Sequence, residues 1–152
     1  MKSQGEIEAA VCDGISRFQQ EFIGRGPRDI HAHLVGPLLV VRLQGALTPA
    51  EQQLMASRPS MAVSAGGNGD GQRHGQANSG GHAGDNGNGR ALLKQVRAHM
   101  VATGRPRLQE IVESATAVSL VSVHHDISTL TGEEVLVFSL KEPPACRAKR
   151  RP

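Results

Sequence analysis

Four residues combine a chemically useful type with a useful spacing. His31 and His33 are one residue apart in one apolar stretch, and His124 and Asp126 are one apart in another. Alternation along a β-strand puts each pair on a single face, the first opposite Ile30 and Ala32, the second opposite Val123 and Ile127. Three imidazoles and a carboxylate form a zinc or transition-metal donor set if the two strands lie side by side on the outer face of a sheet. That geometry would make the chain a metal-dependent enzyme or a metal sensor. The competing reading is four polar residues on a wet sheet face. The remaining candidates are blander. His74 and His82 stand as spacers in a Gly-rich stretch, His99 flanks Met100, and Cys12 lies about 100° from Val11 on a helical wheel, a flank position for a thiol. Glu133 and Glu134 are neighbours, and neighbours on a strand point to opposite faces, so they read as solvation for a turn. No nucleophile elbow, phosphate loop or His-Glu-x-x-His pattern occurs, and Gly24-x-Gly26 lacks the third glycine of a dinucleotide fingerprint. The expectation is no catalytic residue and no cofactor.

The elements that must position these groups are two hairpins and the helices before them. Between Val118 and Leu140 the sequence gives two strands joined at Thr131-Gly132-Glu133, with Val121, Val123 and Ile127 on one face and Leu136, Phe138 and Leu140 on one face. Val135 and Val137 make the opposite face apolar too, as in a strand covered on both sides or seated at a subunit contact. Arg28 to Gly45 gives the other hairpin, with Ile30, Ala32 and Leu34 inward, a Gly36-Pro37 reversal, and Leu38 to Leu43 apolar on both faces until Arg42. Ser3-Gln4-Gly5-Glu6 is a capping box, and Ile7, Val11, Ile15, Phe18 and Phe22 then recur at helical spacing until Gly24-Arg25-Gly26-Pro27 ends the run. Thr48-Pro49-Ala50-Glu51 is a second capping box and starts a short helix to about Ala56. Leu92, Leu93, Val96 and Met100, then Leu108, Ile111, Val112 and Ala115, form two helical stripes. Pro106 between them either starts a new helix or kinks one long helix. The order is helix, hairpin, short helix, long helix or helix pair, hairpin. It predicts an α+β fold, a four-stranded antiparallel sheet from two hairpins with helices packed on one face.

Composition divides the 152 residues into three regions. Residues 1–57 and 90–142 read as one domain, 58–89 as a Gly-rich disordered insertion with little to bury, and 143–152 as a basic disordered tail. The core must be aliphatic, because Phe18, Phe22 and Phe138 are the only aromatic residues. Arg147, Lys149, Arg150 and Arg151 supply four of the 17 basic residues, leaving a body with one more acidic than basic residue. A near-neutral body argues against a domain built on a phosphate-binding face, so nucleic acid is not the expected partner. The tail offers an electrostatic anchor to an anionic membrane. Two distant cysteines make no disulfide framework, and neither a signal peptide nor a membrane-spanning apolar run is visible. The expectation is a soluble cytoplasmic protein.

Several of these motifs together resemble the MpsC-like family. They are the helix end at Gly24, Gly26 and Pro27, the Leu47 to Glu51 helix start containing Thr48 and Glu51, the Glu110 to Thr116 helix end, and the hairpin from Asp126, Ile127, Ser128 and Thr129 to Glu134 through Phe138. Ala117 stands where that family typically has Gly, and the loop before Arg90 is longer than its compact pattern. The family is named for the soluble component of a sodium-translocating, membrane-potential-generating system. The resemblance implies an intracellular accessory protein acting with membrane ion-transport machinery and brings no catalytic set, while the basic tail adds the expectation of peripheral contact with the inner face of the membrane. The leading expectation is therefore a non-enzymatic accessory or regulatory module that binds a protein partner, a membrane ion-transport component or a second copy of itself.

Overall fold

The computed structural model describes residues 1–56 and 88–148. Helix α1 (Gln4–Phe18) starts at the capping box: Ser3 Oγ accepts from the Glu6 amide, and the Glu6 carboxylate accepts from the Ser3 amide. Its buried stripe is Ile7, Val11, Ile15 and Phe18, spaced by helical turns. The chain then widens into a single π-helical turn, Gln19–Ile23, closed by the Gly24 amide donating to the Gln19 carbonyl. The wide turn breaks the stripe, so Phe22 leaves the expected core, 42% exposed and stacked on Phe18, while Gln19 turns fully inward. Gly24 ends the helix at φ 96°.

Strands β1 (Asp29–Val35) and β2 (Leu38–Gln44) form the first hairpin, and Gly36 takes the positive φ that its two-residue turn requires. Helix α2 (Pro49–Ala56) begins at the second capping box, with Thr48 Oγ1 accepting from the Glu51 amide and Glu51 accepting from the Thr48 amide. Helices α3 (Asn88–Thr103) and α4 (Arg105–Thr116) are separate, and Pro106 sits in the first turn of α4. Gly104 joins them where no side chain fits, because an added Cβ would run into the Phe18 ring. Strands β3 (Leu120–Ile127) and β4 (Glu134–Leu140) complete the sheet. The insertion expected at 58–89 falls outside the described residues except 88 and 89, which open α3, and so do Lys149 to Pro152. Residues just before them are docked: Pro144 is buried and the Arg147 amide donates to the Lys2 carbonyl.

The sheet is antiparallel in the order β1-β2-β4-β3, so the two hairpins meet through their second strands and β1 and β3 form the edges. Helices cover one face, as the sequence predicts. The core there joins Leu34, Leu39, Val41, Leu136 and Phe138 to Val11, Ile15, Leu108 and Val112. A satellite cluster of Leu47, Leu93 and Ile127 seats α2 and α3. Two expectations fail for local reasons. Val121 is exposed because a bulge between Leu120 and Ser122 flips it off the inner face. Leu92 and Val96 are exposed because α3 turns Leu93, Arg97 and Val101 inward instead.

Both edges are blunted. On β1, the Leu34 amide donates to Glu8 and its carbonyl accepts from Gln4, both on α1. On β3, Asp126 caps the Ile127 amide and Arg105 donates to the Val121 carbonyl. Backbone groups satisfied in this way are withdrawn from strand pairing with other chains.

Candidate functional site

The pairing register traces the four sequence candidates across the sheet. His33 faces Val40, Val40 faces Val137 and Val137 faces His124; one step along, His31, Arg42, Val135 and Asp126 form the next row. All four candidates therefore share the outer face, as alternation predicts. They do not meet, because β1 and β3 are opposite edges three strand spacings apart, about 14 Å. Each has a local partner or none: His31 lies 3.3 Å from Asp29, His124 3.2 Å from Ser122 Oγ, and Asp126 3.1 Å from Lys94 Nζ. No group of three or more His, Cys, Asp or Glu among the described residues is placed to hold a metal. The metal-site expectation is corrected accordingly: the hairpins adjoin by β2 and β4, which keeps the donor pairs apart. Cys12 is half-buried, and burial pushes its thiol up, away from nucleophilic character.

The concentration of polar chemistry lies on the other face, where the sequence shows only a buried stripe. Arg97, the bulkiest fully buried side chain among the described residues, reaches from α3 into the angle between the sheet and α2. Its Nε and Nη2 donate to the two oxygens of Glu51, at 2.6 and 2.8 Å. Nη1 donates to Glu134 Oε2 and Gln19 Oε1, both at 3.1 Å, and Nη2 also donates to the Ala46 carbonyl at 2.9 Å. Gln19 in turn donates to Glu134 Oε1 at 2.8 Å. The planar guanidinium is suited to such a fork, since one cation satisfies acceptors on four residues at once. The π-helical turn delivers Gln19, the α2 cap delivers Glu51, and β4 delivers Glu134. Reading Glu134 as solvation for a turn is overturned: it is 0% exposed, while its neighbour Glu133 faces outward and pairs with Arg42 at 2.9 Å. Burial pushes the Glu51 carboxyl up, but the hydrogen bonds from Arg97 and the Thr48 amide outweigh it and hold the group below its ordinary value.

This assembly is coordinatively closed around Arg97, which makes it a structural knot and gives it no free nucleophile or acid. One signal for it exists in the sequence: Leu93, Arg97, Val101 and Gly104 lie at helical spacing, so the buried stripe of α3 runs through an arginine.

The pattern of the MpsC family, described as a Na+-translocating membrane potential-generating system, matches residues 3–65 and 82–142. The chain belongs to the MpsC family. This MpsC protein is also 27% identical to the uncharacterized protein YbcI of Bacillus subtilis strain 168 over 139 residues, covering 91% of this chain and 89% of that one. No solved structure matches it. The matched segments pass over residues 66–81 and end before the basic tail. Within this MpsC fold, Gly24, Gly26 and Pro27 carry the chain from α1 to β1, Thr48 and Glu51 cap α2, and Ser128 Oγ accepts from the Leu130 and Thr131 amides in the β3–β4 turn. Of these, only Glu51 also enters the Arg97 cluster. Ala117 is left-handed at φ 57° and caps α4 through its amide to the Glu113 carbonyl. No helix among the described residues is long and apolar enough to cross a membrane.

Proposed function

We propose that this protein is a non-enzymatic accessory or regulatory component of a membrane potential-generating system, working from the cytoplasmic side of the membrane by contact with a membrane ion-transport protein. The family description supports the setting. The observation that carries the contact is the outer face of the sheet. Val40, Val135 and Val137 are half-buried at its centre with no described element above them, and Val35 and Leu38 are exposed beside them. Since helices fill the inner face and side chains blunt both edges, the outer face is where the sheet has apolar surface left to cover. Arg147, Lys149, Arg150 and Arg151 add an electrostatic contribution at an anionic bilayer.

The test is crosslinking in intact cells followed by purification under denaturing conditions. Wild type is expected to carry an integral ion-transport subunit, and Val137→Glu, confirmed folded by its thermal transition, is expected to lose it. Recovery of no membrane protein, or equal recovery with Val137→Glu, refutes the reading. Sedimentation of the purified protein separates the competing arrangement, a homodimer through the same valines: a dimer that Val137→Glu dissociates would assign the face to self-association.

A further inference from the structure

The Arg97 cluster is one positive charge short. Both oxygens of Glu51 and both of Glu134 accept hydrogen bonds, the pattern of ionised carboxylates, and Arg97 is the single cation among them. Directly against the cluster stands His125 on β3. Its side chain is only 6% exposed, its Nε2 lies 3.7 Å from Glu134 Oε2, and that nitrogen has no hydrogen-bond partner among the described residues. An unpaired buried imidazole nitrogen beside an undercompensated buried carboxylate is costly on both counts. A ring proton would remove both costs.

We propose that the cluster is a proton-binding site: His125 takes up a proton from solvent, and its Nε2–H closes onto Glu134 Oε2 as an ion pair. No other bond is made or broken, and the incoming proton balances the charge of Arg97, Glu51 and Glu134. The route is the groove of about 470 Å³ between α3 and β3, lined by His125 together with Ala98, Val101 and Arg105. The charged groups around His125 support the assignment. From β4 comes Glu134, from α3 Arg97, and from α2, through Arg97, comes Glu51. Arg105 on α4 is committed to the Val121 carbonyl, and Lys94 on α3 is committed to Asp126, so neither supplies the missing charge. Because Arg97 Nη1 and the His125 ring share Glu134 Oε2, a proton on His125 competes with Arg97 for that oxygen and loosens the grip of the sheet on α3 and, through Glu51, on α2. The site thus couples local acidity to the seating of these two helices.

Two measurements on the full chain test the idea. Imidazole nitrogen NMR of wild type between pH 8 and pH 6, the range over which histidines change charge, is expected to show His125 becoming doubly protonated with a slowly exchanging Nε2 proton. Amide exchange in α2 and α3, corrected for intrinsic rates, is expected to quicken on the order of tenfold or more over the same interval, as for a weakened hydrogen bond between charged groups. Glu134→Gln and His125→Asn are expected to abolish that dependence, and His124→Asn to preserve it. A His125 ring that stays neutral down to pH 6 overturns the proposal whether or not the variants fold, and so does an unchanged pH response in folded His125→Asn.

Discussion

Replacing Arg97 by Met probes the polar knot most directly. Met keeps an apolar stem of similar reach but supplies none of the five hydrogen bonds that Arg97 donates. The carboxylates of Glu51 and Glu134, the Gln19 oxygen and the Ala46 carbonyl would be left in a dry interior, and Glu134 has no exposed surface through which water could compensate it. Removing one partner of a buried ion pair costs about 3–5 kcal/mol, a large share of the roughly 5–15 kcal/mol that holds a typical domain together. For a folded body of this size the melting temperature should fall by roughly 10–20 °C. Arg97→Lys should lie between, because the ammonium keeps the charge but cannot engage both Glu51 oxygens and Glu134 with one planar fork. The triple variant Arg97→Met, Glu51→Gln, Glu134→Gln should recover part of the loss, since uncharged amides tolerate the site better than two unpaired carboxylates. Thermal and urea unfolding followed by circular dichroism reads all three. A loss below about 1 kcal/mol for Arg97→Met, or a triple variant no more stable than the single one, would refute the view of the cluster as an electrostatic unit.

Ala117→Gly should stabilise the protein by about 0.5–1 kcal/mol in the same assay, because relief of the left-handed strain exceeds the added freedom of the unfolded chain. Glu51, held below the ordinary glutamate value, stabilises the fold at pH above about 4.3, and that contribution is lost as pH falls through the folded-state value. Acid unfolding below pH of about 4 should therefore be steeper in wild type than in Glu51→Gln. Protein dialysed with zinc and then desalted should retain no stoichiometric metal, with no change on His124→Ala, as elemental analysis will show, because the donor pairs on β1 and β3 occupy opposite edges.

The parts of the fold that were legible in the sequence are those fixed by neighbours. Each capping box lies within four consecutive residues, each hairpin turn is set by local Gly or Pro chemistry, and strand alternation assigns a face without reference to any other strand. Hence both α1 and α2 start where Ser3 and Thr48 indicate, and His31, His33, His124 and Asp126 all fall on the outer face. Periodicity fails at Leu92 and Val96, where α3 turns Arg97 inward, and where geometry changes the count. The extra residue of the bulge turns Val121 out, and the π-helical turn sends Phe22 out and Gln19 in.

The cluster was illegible for a different reason. Its bonds join residues 37 to 115 positions apart, and every member has an ordinary surface explanation in its own segment: Glu51 caps a helix, Glu134 follows a turn, and Arg97 adorns a helix. Polarity patterns assume that a charged side chain lies outside unless a partner is known, and the partner is known only once the strand order is fixed. The order β1-β2-β4-β3 is the datum that separates the expected metal donors and that places Glu134 on a central strand, beneath α3. A pairing of β1 with β3 would have brought the histidines together and put Glu134 on an outer strand. One topological choice therefore decides both outcomes, dissolving the site suggested by residue type and creating the one that residue type conceals.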